Sequence, residues 1–255
     1  MNTRTARFLN FVGGNAILSR DITRQLFTRP FYFDLLSSQL LTIGVRSLPL
    51  IFVVAISVGM VMALQFGIGL EKFGGKLYIP KLVSVSITRE LGPIFASLMF
   101  AARVGAGITA EVASMVVSQQ VDALRALGTS PVKKIIIPRV LACLIALPIL
   151  TVIGNAIGLM GGLFVGVLDL NLNSGFYLQK IEASVTLADF FSGVGKTVFF
   201  SLFISIPACY YGLHVQRGTR GVGIATTEAV VTASILIFIG DYFLTKFFWI
   251  FESWK

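Results

Sequence analysis

The chain has 255 residues, of which 55% are hydrophobic and 13% charged, and its mean hydropathy is +0.85. A water-facing domain of this size carries roughly a quarter of its residues charged, so the secreted, cytosolic-enzyme and disordered classes are excluded and an all-α integral membrane protein is expected. The formal charge of +9 fits cytoplasmic loops facing anionic lipid, and by the basic-patch criteria nucleic acid is not an expected partner.

Residues 1–46 read as an N-terminal cytoplasmic or interfacial helical segment. No signal peptide is predicted, because Phe8–Val12 is too short an apolar run and Asn10 interrupts it. Leu18, Ile22 and Leu26 recur every fourth residue while Arg20, Asp21 and Arg24 fall elsewhere on the wheel. That pattern fits a helix in the membrane interface, with a solvated cytoplasmic helix as the alternative. Pro30 is expected to end it, and Phe31–Arg46 to form an elbow into the membrane.

Residues 47–245 then form a five-span membrane domain, with apolar stretches long enough to span a bilayer: Ser47–Leu70, Leu91–Val117, Val140–Leu168, Phe190–Tyr211 and Val222–Leu244. The flanks on the N-terminal side hold twelve Lys and Arg (Arg217 among them) against seven, Lys255 included, on the other. The positive-inside rule therefore puts the N-terminus in the cytoplasm and residues 246–255 outside as a short tail. In the second span Ala102, Ala106 and Ala110 share a face, and in the third Gly154, Gly158, Gly162 and Gly166 do. Rows of small residues let helices approach closely, within one chain or across a dimer seam.

Between spans two and three, Ser118 is expected to cap a short cytoplasmic helix, about 118–127, with Val121, Leu124 and Leu127 on one side, Gly128 at its end and Pro131 behind. Such a rod either packs on its own helices or docks into a soluble partner. Lys133, Lys134 and Arg139 are expected to anchor its base at lipid headgroups.

Charges inside spans are costly and mark function more often than accident. Arg89, Glu90, Lys196 and Asp241 are predicted to share one layer near the outer leaflet. Two roles fit them: a buried ion pair, Lys196 with Asp241, or a polar gate for a headgroup. Arg103 near mid-depth, and Glu111 and Glu228 six residues from the cytoplasmic edge, are secondary intramembrane charges.

The stretch Gly193-Val194-Gly195-Lys196-Thr197 imitates the end of a phosphate-binding loop, but position 190 is Phe where G-x-x-x-x-G-K-[ST] needs Gly. His214, the one histidine, has no acidic or Cys neighbour, and Cys143 and Cys209 lie in apolar stretches without metal or redox spacing. No catalytic residue, metal ligand or cofactor is predicted, and the chain is not expected to be an enzyme.

Several motifs carry a family resemblance: Ile87-Thr88-Arg89-Glu90-Leu91-Gly92-Pro93, Ala102-Arg103-Val104-Gly105-Ala106, Ile108-Thr109-Ala110-Glu111, Gln120 to Gly128 with Pro131, and Ile137-Pro138-Arg139. From about residue 40 to 245 the chain resembles the MlaE permeases, membrane subunits of ABC transporters that move phospholipid together with MCE proteins. It departs from the family in having Gln119-Gln120 where Glu-Gln is frequent.

The resemblance implies a homodimer in the bacterial inner membrane, a cytoplasmic ATP-binding subunit, a periplasmic MCE-domain partner and phospholipid as cargo, maintaining outer-membrane lipid asymmetry. It also implies that Val121, Asp122, Leu124, Arg125 and Leu127 form the ATPase-coupling helix, and that Arg89, Glu90, Lys196 and Asp241 surround the lipid path. A stand-alone channel or ion-coupled carrier is the competing expectation if Lys196, Asp241 and Arg103 line an aqueous path. A lipid-modifying membrane enzyme lacks its nucleophile and base.

Overall fold

A computed structural model of the chain describes residues 3–26, 28, 32–215 and 218–253, with side chains from 9 to 251. Pro30, Arg217 and Lys255 lie outside the described residues. Eleven α-helices are present among them: α1 (Thr3–Leu26), α2 (Phe33–Ile43), α3 (Leu48–Glu71), α4 (Ile79–Ser86), α5 (Gly92–Phe100), α6 (Ala106–Val117), α7 (Gln120–Ala126), α8 (Ile137–Leu168), α9 (Ser174–Ser184), α10 (Leu187–Leu213) and α11 (Thr219–Ser253). Three short π-helical segments, Ile87–Leu91, Ala101–Gly105 and Val132–Ile136, join α4 to α5, α5 to α6 and lead into α8.

Among the described residues five helical stretches are long and apolar enough to cross a membrane: Phe33–Glu71, Lys76–Val117, Val132–Leu168, Leu187–Leu213 and Thr219–Phe251. The protein is an all-α integral membrane protein with five spans. Large apolar side chains such as Phe52, Val53, Ile68, Met160, Phe164 and Phe238 are half exposed or more, which water would penalise and acyl chains do not. Tyr242, Phe243, Phe247, Trp249 and Phe251 are exposed at the far end of α11, the aromatic composition of a bilayer interface. The expected tail after residue 245 is helical, because α11 runs on to Ser253.

The chain divides into two compact units, and α8, α10 and α11 contribute residues to both. The first comprises residues 1–45, 100–146 and 201–236. In it α1 turns Leu18 and Ile22 inward, both buried, and is tied down by hydrogen bonds from Tyr210 Oη to the Asn10 carbonyl (3.2 Å) and from Ser130 Oγ to Gln25 Oε1 (2.6 Å). The face carrying Leu9, Val12 and Ile17 stays exposed and apolar, so α1 has one side against its own unit and another suited to lipid.

The second unit comprises residues 46–99, 147–200 and 237–255. Its core is Ala63, Ile79, Val83, Ile87 and Val165. The glycine row of the third span is occupied here by the chain's own residues. A Cβ on Gly59 of α3 would sit 1.9 Å from the Gly158 carbonyl oxygen, and one on Gly161 would sit 2.4 Å from that of Ile56. Gly162 and Gly166 face Tyr177 of α9, a helix with no counterpart in the sequence reading, whose buried phenol is pushed up to about 12 by desolvation. This row therefore explains internal packing and offers no dimer seam. Gly59→Ala is expected to destabilise the protein by about 1–3 kcal/mol through overpacking. Its loss of thermal stability in detergent should exceed that of Gly158→Ala, whose nearest neighbour would be 3.3 Å away; equal stabilities would contradict the contact.

Candidate functional site

The four residues expected to share a layer converge in the second unit. Lys196 lies on α10 with 0% exposure, and its Nζ donates to Glu90 Oε2 (2.5 Å), Asp241 Oδ1 (3.1 Å), Thr245 Oγ1 (2.6 Å) and the Arg89 carbonyl (3.2 Å). An ammonium has three protons, so four acceptors around it leave none without a partner. The two carboxylates are partly open, with 32% and 16% of their side-chain surface exposed for Glu90 and Asp241. Thr245 sits 3.3–3.4 Å from both Glu90 oxygens, one turn along α11 from Asp241.

Arg89 turns to a different partner, donating from Nη1 to Asp189 Oδ1 at 2.7 Å. Asp189 is held by a reciprocal cap at the start of α10. The Thr186 N–H donates to Asp189 Oδ2 (3.0 Å), and the Asp189 N–H donates to Thr186 Oγ1 (3.2 Å). The expected pair thus becomes a five-charge cluster of two cations and three carboxylates.

The local sequence explains how these groups meet. Arg89 and Glu90 lie in the π-helical segment Ile87–Leu91, and such wide turns are frequent at functional sites. Gly193 lets α10 press onto this segment, since a Cβ there would sit 2.1 Å from the Thr88 carbonyl oxygen, and Gly195 clears the Phe248 ring. The glycines that imitate a nucleotide loop are helix-packing residues. Asn155 of α8 approaches the same Thr88 carbonyl at 3.5 Å, while its Oδ1 and the Thr88 hydroxyl are buried without a hydrogen-bond partner among the described residues.

Sequence reasoning missed Asp189, Thr245 and Asn155. Asp189 had a signal, because Thr186-x-x-Asp189 is the capping-box spacing. Thr245 and Asn155 had none, being single polar residues in apolar stretches.

The short helix expected at about 118–127 departs from expectation at its start and along its apolar face. Ser118 does not cap it: its hydroxyl bonds back to Ser114 O (2.8 Å), and α7 begins after Gln119, which takes a left-handed φ of 59°. Gly128, with φ +70°, does end it; the Thr129 N–H reaches Leu124 O (2.9 Å) and the Gly128 N–H reaches Arg125 O (3.0 Å), the double closure that favours glycine. The three apolar residues also do not share one fate. Val121 is 3% exposed and packs into its own unit, Leu124 is half-buried, and Leu127 is 78% exposed. Asp122 and Arg125 pair with each other at 3.0 Å on the exposed side.

Arg139 is a further correction. It is buried rather than at headgroups, donating to Ile135 O (2.8 Å) and to Glu111 Oε2 (2.9 Å). That contact also accounts for Glu111. Arg103 sits half-buried in the π-helical segment Ala101–Gly105, and Glu228 is exposed on α11, so neither joins the Lys196 cluster. Among the described residues no group of three or more His, Cys, Asp or Glu is placed to hold a metal ion.

The family profile described as Permease MlaE matches residues 36–247. The chain belongs to the MlaE permease family. A probable ABC transporter permease of Rickettsia conorii is 43% identical over 245 residues, covering 96% of this chain and 95% of the relative. One of Synechocystis is 36% identical over 207 residues, covering 81% and 79%. The intermembrane phospholipid transport system permease MlaE of Haemophilus influenzae is 34% identical over 215 residues, covering 84% and 82%. This MlaE-family protein is therefore an ABC transporter permease, and its ion cluster lies wholly within the matched region.

Proposed function

We propose that the chain is the non-catalytic membrane subunit of a transporter that moves phospholipid between the inner and outer membranes, powered by a separate ATP-binding subunit. The observation that carries this is the likeness over most of both chains to the Haemophilus permease, whose name specifies phospholipid transport. In this reading the protein sits in the inner membrane with its N-terminus and Gly128 in the cytoplasm and its C-terminus in the periplasm, as a pair of copies alongside an MCE-domain protein. Residues 1–46 form the interfacial segment, 47–245 the permease domain, and α7 the coupling helix.

The physical case for the lipid path rests on Glu90 and Asp241. Both are fixed by a fully buried ammonium yet keep part of their surface open, so they can meet a polar headgroup without either charge being left unpaired in apolar surroundings. Pairing of copies would use a small-residue face that the chain leaves uncovered: Ala102 is exposed, Ala106 and Ala110 are half-exposed, and a Cβ on Gly107 would meet nothing within 4 Å.

The test is purification in mild detergent from native membranes, followed by mass spectrometry of proteins and lipids. The expected result is an ATP-binding subunit and phospholipid, with two copies of this chain per particle. A pure, independently active ion or solute carrier would overturn the proposal. Reporters inserted at Gly128 and fused after Lys255 should label from opposite sides of the membrane.

A further inference from the structure

On the first unit, α1, the end of α10 and the first turns of α11 enclose a groove of about 660 Å³ that none of the roles above uses. Its wall is aromatic. Phe11 stacks on Tyr211 with ring centroids 5.6 Å apart, Tyr210 meets both rings at 5.7 Å, and His214 lies 4.3 Å from Tyr210. Tyr210 and Tyr211 are fixed in place, the first on the Asn10 carbonyl and the second on Thr232 Oγ1 at 3.1 Å. The α11 side of the groove carries Glu228, an exposed carboxylate that makes no hydrogen bond or ion pair among the described residues.

Glu228 stands inside an exposed apolar stripe. Ile224, Val231 and Ile235, at helical spacings of four, three and seven residues from it, are each about half exposed. A lone carboxylate in a lipid-facing stripe is costly without a cation, and a cation beside electron-rich rings is attracted by their faces. The required ligand therefore has an ammonium end and an apolar body.

We infer that this groove binds the primary ammonium headgroup of a cytoplasmic-leaflet phospholipid, phosphatidylethanolamine, with the ammonium on Glu228 and the aromatic wall and the acyl chains along Ile224, Val231 and Ile235. A primary ammonium donates three hydrogen bonds and suits a carboxylate, whereas a phosphoglycerol headgroup brings no cation. The inference rests on the proposed reading only in placing this end of α11 at the cytoplasmic leaflet. It concerns lipid recognition away from the Lys196 cluster.

The experiment is native mass spectrometry of the delipidated full-length permease titrated separately with phosphatidylethanolamine, phosphatidylglycerol and water-soluble glycerophosphoethanolamine. The wild type should prefer phosphatidylethanolamine over phosphatidylglycerol. Glu228→Gln should weaken the former about tenfold, the loss of one charge-assisted contact, and leave the latter unchanged. Phe11→Leu should weaken it less, and Ser234→Ala, on the same helix but outside the groove, not at all.

Equal binding of the two lipids by the wild type, or an unchanged preference in Glu228→Gln, would overturn the proposal. Competition by glycerophosphoethanolamine as strong as by the lipid would assign the groove to a soluble amine instead, and efficient cross-linking between two copies through Thr227→Cys would assign it to a self-contact. No ATPase or transport is read, so a negative result here leaves the transport proposal standing.

Discussion

Lys196→Met is expected to be the most damaging single substitution in the chain. It removes the ammonium that Glu90 and Asp241 share and leaves two carboxylates facing each other beside buried surface, a loss of about 3–5 kcal/mol for one broken buried pair. The two acids are not equivalent. Glu90 makes the shorter contact, at 2.5 Å, and also engages Thr245, so Asp241→Asn should be tolerated better than Glu90→Gln. An exchange of Lys196 and Asp241 should recover little, because Glu90 would then confront a new carboxylate at position 196.

The informative variant is Lys196→Met with Glu90→Gln and Asp241→Asn, which carries no charge at these three positions and should regain most of the thermal stability. If that variant also regains lipid transfer, the cluster only holds helices together. If it folds and does not transport, the charges act on the cargo. Failure to regain stability would contradict the pairing itself, and double-mutant cycles on each contact would locate the fault.

The second large effect concerns Leu127. Its side chain is 78% exposed, so Leu127→Arg should change the stability of the isolated permease by no more than about 0.5 kcal/mol, the usual surface value. If α7 docks in an apolar groove of the ATP-binding subunit, an arginine there carries an unpaired charge into the contact. The cost is on the order of 3 kcal/mol, roughly a hundredfold in affinity. Co-purified ATPase and lipid transfer should both fall while the permease stays folded. Val121→Arg should behave differently, because Val121 is 3% exposed within its own unit and the substitution should lower stability with or without a partner. Retention of the ATPase by Leu127→Arg would remove α7 from the coupling role.

The spans were legible because their signal is length and apolarity, which depend on no tertiary contact. The layer of Arg89, Glu90, Lys196 and Asp241 was legible for a related reason: a charge in an apolar run stands out, and depth along a helix follows from residue count. Partner choice was not legible. Arg89 selects Asp189 and Glu90 selects Lys196 because of a π-helical turn and the close approach at Gly193, and neither has a period that a sequence displays.

The misreading of Arg139 has the same origin. A basic residue after a cytoplasmic loop ordinarily reaches headgroups, and only the fold puts Glu111 2.9 Å from it. Val121 and Leu127 are six residues apart, about 120° around a helix, so with α7 packed on its own unit the first is buried and the second, at the helix end, is exposed.

The wide turn at Ile87–Leu91 also bears on how chain length changes can be absorbed. A π-turn holds one residue more than an α-turn between hydrogen-bonded groups, so losing one residue between 87 and 91 would let the segment relax into ordinary α-helix. The span would remain continuous and apolar. The helices on either side would keep their phase, because the wide turn already accommodates the extra residue, but within the turn a side chain shifted by one position points about 100° away, so positions 89 and 90 would no longer face Asp189 and Lys196. A relative with a one-residue gap here would thus keep its place in the bilayer and lose its ion-pair register, so alignment gaps at this turn distinguish homologues that share the span from those that share the cluster.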